Sequence, residues 1–206
     1  MAKKETVMTN VTIIGAGNMG GAIAAIATAG GNDVQVLVRD ASKVAGAGTI
    51  GDAITGEIVV LALPYAALQP VLQTYAGQLD GKVVVDLSNP VDFATFDSLV
   101  VDAGSSAAAE VAATVPAAKV LKAFNTNFAS TLATGAVGSE KTAVLIAGDD
   151  ADAKALLASV LESGNIRAVD AGSLKRAHEL EALGFLQMTL AAAEKTSWTS
   201  GFALAR

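Results

Sequence analysis

The stretch VTIIGAGNMGGAIA, residues 11–24, sets glycines at 15, 17 and 20 directly behind a β-branched apolar run. This is a G-x-G-x-x-G pattern, and it carries meaning only where a strand precedes it and a helix follows. Both flanks fit. VTIIG (11–15) reads as a strand, NMGGAIAAIATAGG as a helix closing on a glycine pair, and DVQVLVRD (33–40) as the next strand. In that setting Gly15 supplies the tight turn and Gly17 lets a backbone approach a pyrophosphate. Gly20 lets the helix press on the sheet, and the unpaired N–H groups of the helix start face the phosphates.

The rest of the chain alternates in the same way. ASKVAGAG supports only a short helix. EIVVLALP (57–64) and KVVVDLSNP (82–90) are continuous apolar runs ended by proline, as strands buried on both faces require. YAALQPVLQTYAGQL between them has helical spacing despite Pro70. A serine cap precedes the alanine-rich helix of SSAAAEVAATVP (105–116), which leads into the strand AKVLKAFN. TAVLIAG (142–148) and IRAVD (166–170) are further strands, separated by DDADAKALLASVLESG with acidic residues in its first helical turn. A long apolar-striped segment runs from Ser173 to about Thr196. The pattern predicts an α/β fold: a doubly wound, mainly parallel Rossmann sheet with a short helical C-terminal cap. We expect one dinucleotide-binding domain over 1–206, with the core at 8–170 and the helical segment at 171–206.

Composition closes off other classes. The opening MAKKETVMTN followed by an apolar tract invites comparison with a secretory leader, with ATA at 27–29 as the cleavage site. Glycines 15, 17, 20 and 21 and Asn18 interrupt that tract, and no later run approaches the roughly 20 apolar residues of a membrane span. With no cysteine there is neither a disulfide framework nor a thiolate ligand, and no metal site is expected. A formal charge of −6 argues against a nucleic-acid surface. The expected setting is cytoplasmic, with a small-molecule partner.

The nucleotide is chosen some twenty residues past the glycines, where an NAD enzyme places an acidic residue for the ribose 2′-OH. Here VLVRDASK puts Val38 at that position, with Arg39, Ser42 and Lys43 beyond it. A guanidinium and an ammonium around a hydroxyl suit a 2′-phosphate, so NADP(H) is expected. Asp40 leaves a competing reading, an ordinary surface ion pair with Lys43 or Arg39.

GAGNMGGAIA, VLVRDASK, DLSNP, LKAFNT (121–126) and VDAGSLKRAHELEALG (169–184) together resemble the coenzyme F420-dependent NADP oxidoreductase family over nearly the whole chain. The resemblance implies a nucleotide loop on Gly15, Gly17, Asn18, Met19 and Gly20, and a 2′-phosphate clamp on Arg39 and Lys43. It places the Leu63–Pro64 and Asn89–Pro90 turns beside the nicotinamide half. It also implies hydride exchange between nicotinamide C4 and a deazaflavin, coenzyme F420, or a flavin, FMN or FAD. Val38 departs from the serine of archaeal deazaflavin reductases, leaving the clamp one hydroxyl poorer.

Hydride transfer between two rings needs positioning and exclusion of water rather than a nucleophile or strong acid. Asn125 and Thr126 follow the strand AKVLKAFN at the carboxyl-end crevice, and we expect them to contact the nicotinamide or the second ring, the other reading being a turn in which the amide caps the next segment. His178, the chain's one histidine, shares a helix face with Lys175 and is the weak candidate for proton transfer, against a capping or packing role. In the last segment Phe185, Leu186, Met188 and Leu190 are too closely spaced for one stripe. One face is expected to pack on the sheet; the other, with Trp198 and Phe202, to cover the ring substrate or pair with a second subunit as a homodimer. Two other functions fit the same half-fold: reduction of a small imine or carbonyl compound, as in pyrroline-carboxylate reductases, and NADP sensing without catalysis.

Overall fold

The computed structural model describes residues 8–205; the first seven residues of the opening stretch weighed above as a leader, and Arg206, lie outside them. In chain order the elements are β1 (Asn10–Ile14), α1 (Asn18–Ala29), β2 (Asp33–Val38), β3 (Gly48–Thr49), β4 (Ile58–Leu61), α2 (Leu68–Tyr75), β5 (Val83–Asp86) and α3 (Ala107–Thr114). They continue with β6 (Lys119–Lys122), α4 (Ala129–Thr134), β7 (Ala136–Val137), β8 (Glu140–Lys141), β9 (Ala143–Gly148), α5 (Ala151–Ser163), β10 (Arg167–Gly172) and α6 (Ala177–Ala192).

Eight strands form one sheet in the order β10-β9-β6-β5-β4-β1-β2-β3. The chain leaves β1 toward β2 and β3, then returns to lay β4 on the other side of β1, so the direction of winding reverses between β1 and β4. That reversal opens a crevice at the carboxyl ends of the two strands. Alternation within the apolar runs explains their double burial: Ile58, Val60, Val83 and Val85 join the core beside α1 and α5, while Val59, Leu61 and Val84 join the core beside α2 and α3. Pro70 is the third residue of α2, where its missing N–H costs no helical hydrogen bond. Ser106 caps α3 by accepting from Ala109 N, and Asp150 caps α5 by accepting from Ala153 N.

Two expectations are refined. β9 pairs antiparallel with β6, because α4 and the β7–β8 hairpin join them without a full crossover helix, and α5 then returns the chain parallel to β9 as β10. The C-terminal cap is helical only to Ala192; the residues beyond it lie back on the domain through Ser130 Oγ donating to Trp198 O (2.7 Å), Phe202 N to Gln187 Oε1 (3.0 Å) and Arg167 to Leu204 O (2.9 Å). The buried stripe of α6 is Ala177, Leu180, Glu181, Gly184, Gln187 and Ala191, in which Leu180 is the one large aliphatic side chain among small and polar residues. Leu186 stands 50% exposed, and Phe185, Met188 and Leu190 are half-buried. No helix among the described residues is long and apolar enough to cross a membrane, and no group of three or more potential metal ligands occurs among them.

Candidate functional site

The crevice at the winding reversal has two compartments that share Ala16, Gly17, Leu63 and Pro64 as a common wall. The smaller, about 570 Å³, is bounded by Gly15, Val38, Arg39, Asp40 and Lys43. The larger, about 1160 Å³, extends over Asn18 and Met19 to Ser88, Asn89, Phe93, Asn125, Asn127, Phe128, Met188 and Trp198.

The glycines between the compartments divide their work. Gly15 has φ +109°, and a Cβ there would strike the Ala62 carbonyl; a Cβ on Gly20 would strike the Gly15 carbonyl. These two therefore let loop, helix and strand close on one another. A Cβ on Gly17 meets nothing within 4 Å, so its surface is open to the crevice. Gly17 is also the N-cap of α1, with no side-chain cap and no acidic residue in the first turn. The helix thus presents unpartnered N–H donors and the positive end of its dipole to the crevice, which fits the pyrophosphate of a dinucleotide.

The three clamp residues stand differently. Asp40 caps a short 3₁₀ turn over Ala41–Lys43, accepting from Ser42 N (3.2 Å) and Ser42 Oγ (2.6 Å), and it pairs with Lys43 Nζ at 3.0 Å. The Ser42 hydroxyl and then Lys43 hold its carboxyl below the usual carboxylate range. The exposed Arg39 has no hydrogen bond or ion pair among the described residues, which leaves its guanidinium available to a phosphate. The ion pair weighed against the clamp is therefore present, but between Asp40 and Lys43 alone.

At the far end, Asn89 and Asn125 hold each other across the ends of β5 and β6. Asn89 Nδ2 donates to Asn125 O (3.1 Å), and Asn125 Nδ2 donates to Asn89 Oδ1 (3.0 Å) and to Leu180 O of α6 (2.7 Å). The helix lies close enough that a Cβ on Gly184 would come within 2.7 Å of Asn89 Oδ1. Thr126 is not in the lining; Asn127 takes its place. The cause is Phe124, whose φ of +67° and the Asn127 N to Phe124 O bond (2.9 Å) form a turn that sends Thr126 inward. Thr126 is instead buried, its carbonyl accepting from Gln187 Nε2 (3.2 Å).

Ser88 Oγ, Asn125 Oδ1 and Asn127 Oδ1 are buried with no partner among the described residues. Both amides are oriented by acceptors on their nitrogens, Leu180 O and Asn89 Oδ1 for Asn125 and Ala143 O for Asn127. Their oxygens are thus fixed as free acceptors on residues of the lining. Around them the wall is apolar. Phe128 and Trp198 pack at a centroid distance of 5.0 Å with their planes tilted by 52°, and Phe93 stands 67% exposed at the rim beside Phe96 at 6.1 Å. Trp198 and Met188 belong to the apolar C-terminal segment that the sequence marks for a ring substrate or a second subunit, but Phe93, Phe128 and Asn127 carry no local sequence signal. The sole ionisable side chain in the larger compartment is Tyr65, whose hydroxyl donates to Glu110 Oε2 at 2.6 Å and whose pKa is pushed up to about 12, mainly by burial and then by that carboxylate.

His178 lies elsewhere. Its Nδ1 is 2.9 Å from Ser105 O, and it lines a separate recess with Lys175, Asp149 and the Ser105–Ser106 entrance to α3. Its position is that of a group that ties α6 to the start of α3.

Comparison with known proteins follows the same geometry. Residues 10–90 match the family described as NADP oxidoreductase, coenzyme F420-dependent. The chain is 32% identical over 165 residues to the F420-dependent NADP reductase of Methanothermobacter marburgensis, covering 76% of this chain and 72% of that protein. A crystal structure of a candidate F420-dependent NADP reductase from Arthrobacter sp. FB24 superposes with a TM-score of 0.83 and 27% identity, over 96% of this chain and all of that one. An imine reductase from Myxococcus stipitatus in complex with NADP⁺ shares the fold, with a TM-score of 0.65 and 21% identity over 90% of this chain and 63% of that one.

Proposed function

Because the chain belongs to the coenzyme F420-dependent NADP oxidoreductase family and is, as such, an NADP-dependent oxidoreductase, we propose that it passes a hydride between nicotinamide C4 and a flat tricyclic acceptor, a deazaflavin or flavin. The observation that carries this reading is the larger compartment: roomy, walled by Met19, Leu63, Phe93, Phe128, Met188 and Trp198, and without a side chain suited to give a proton near neutral pH. NADP(H) supplies the hydride chemistry when bound. Arg39 holds the 2′-phosphate, the start of α1 holds the pyrophosphate, and Asn125 and Asn127, whose buried carbonyl oxygens lack a partner among the described residues, stand in the wall beside the ring. The aromatic side chains stack on a planar ring and keep water away from it.

Reduction of an imine or carbonyl needs a proton delivered to the nitrogen or oxygen as the hydride arrives. Tyr65 is the one ionisable side chain of the chamber, and its proton is committed to Glu110. The ring acceptor is favoured for that reason, since a delocalised ring anion takes its proton from solvent.

The test mixes purified protein and NADPH with a deazaflavin, with FMN or with a cyclic imine, and follows loss of the reduced-nicotinamide absorbance. Turnover with a ring acceptor and not with the imine is the expected outcome. Turnover with the imine alone contradicts the reading, and tight NADPH binding with no turnover points to a sensor.

A further inference from the structure

Asp86, Lys122 and Glu181 are fully buried, each with 0% side-chain exposure, and none of them lines the crevice. They come from the ends of β5 and β6 and from α6. The Lys122 ammonium is 2.6 Å from Asp86 Oδ2, 2.7 Å from Glu181 Oε1 and 2.6 Å from Ser88 O, so its three donors are used. Glu181 also accepts from Ala107 N (3.0 Å) and Ala108 N (3.4 Å) at the start of α3, and Asp86 Oδ1 accepts from Ser88 N (2.9 Å).

Every one of these partners of either carboxylate is a donor. That all-donor surrounding is the one two carboxylates require. Burial, and to a lesser degree the neighbouring Asp86, raise the Glu181 pKa above its ordinary value, against the opposing pull of Lys122 and the Ala107 N–H. Two carboxylates and one ammonium leave a formal charge of −1 in a dry interior, an arrangement that costs stability against an apolar core even with the α3 N-terminus offsetting part of it. The cluster adjoins the chamber directly: Ser88, which bonds both Lys122 and Asp86, is in the lining, and Asn89 follows it.

Hydride loss converts a neutral dihydronicotinamide into a cationic pyridinium; two electrons and a proton leave together for the acceptor, and one positive charge remains on the ring. A buried negative charge next to the chamber acts on that difference. We propose that the Asp86–Lys122–Glu181 cluster tunes the bound cofactor, its net negative charge stabilising the oxidised cationic nicotinamide over the reduced neutral one. The bound couple is then a stronger hydride donor than the free one. This rests on the nicotinamide half occupying the larger compartment, as proposed above, and is independent of which acceptor takes the hydride.

The readout is the ratio of dissociation constants, Kd(NADPH)/Kd(NADP⁺), by calorimetric titration without any acceptor. In the wild-type protein this ratio exceeds one. Glu181→Gln removes one charge with little change of shape, and the ratio falls about tenfold, the scale of one charge acting through an effective dielectric near 20. A tenfold fall raises the midpoint potential of the bound couple by about 30 mV for two electrons. Asp86→Asn, also isosteric, moves the ratio the same way, and Lys122→Met moves it oppositely; thermal melts identify which variants fold. A loss of packing alone weakens both nucleotides in proportion. A wild-type ratio below one, or a folded amide variant with the ratio unchanged, overturns the proposal. If the ratio shifts while no ring acceptor is reduced, the acceptor reading fails and the tuning cluster stands.

Discussion

Replacing Arg39 with alanine isolates the selection of the nucleotide. Arg39 is exposed and free of partners among the described residues, so its removal breaks no internal contact, and the melting behaviour should stay within the small range of surface substitutions. What is lost is a charge-assisted, two-pronged contact with the 2′-phosphate, about 1.5–3 kcal/mol, or roughly 10- to 150-fold in Kd. Lys43, paired with Asp40 at 3.0 Å in an exposed ion pair, supplies a point charge rather than a two-pronged contact and replaces only part of the loss. NADH has no 2′-phosphate, so its affinity should be unchanged. Asp40→Asn is the internal control: it loosens Lys43 and Ser42 and should tighten NADPH while leaving NADH alone. Calorimetric titration of both variants with both nucleotides at fixed ionic strength reads the effect, since salt screens exposed charges. Equal losses for NADPH and NADH in Arg39→Ala would show that this side chain does not read the phosphate, and the argument from the end of β2 would fall.

Two further outcomes follow from the geometry. Gly17→Ala should leave the melting temperature unchanged, since its Cβ meets no protein atom, yet weaken NADPH sharply; Gly20→Ala should instead destabilise the fold, because its Cβ strikes the Gly15 carbonyl. The reverse pattern in melts and titrations would mean the loop is misassigned. Tyr65→Phe should leave turnover with a ring acceptor nearly unchanged, and the wild-type pH profile should already lack a tyrosine limb, because a pKa raised to about 12 keeps the phenol protonated through the neutral range. By the same sign, whatever stability Tyr65 adds is present below pH 10 and is lost as the pH rises from 10 toward 12. Abolished turnover in Tyr65→Phe would favour an imine or carbonyl substrate.

Much of this was legible from short-range chemistry. The strand-turn-helix around Gly15, Gly17 and Gly20, the absence of an acid at Val38, and the prolines at 64 and 90 are each local statements about backbone geometry or charge, and the fold keeps them local. What escaped depends on distant pairings or a single backbone angle. The Lys122–Asp86 and Glu181–Ala107 contacts join residues 36 and 74 apart in sequence, inside motifs that carried the family resemblance for no visible reason. The exchange of Asn127 for Thr126 in the lining follows from the left-handed conformation at Phe124, a residue that gives no warning of it. The apolar residues of α6 did not reveal its buried stripe, because Gly184 and Ala191 allow close packing and buried Glu181 and Gln187 are satisfied by partners from other elements.

The account as a whole requires that one crevice hold both reacting partners, so that the hydride passes directly between them. Mass spectrometry of the products after a single turnover with NADPH carrying deuterium at the transferable C4 position tests this. The account predicts the label on a ring carbon of the reduced deazaflavin and none on a cyclic imine offered in its place; label on the reduced imine, or label retained on the nicotinamide with the deazaflavin unreduced, would contradict it.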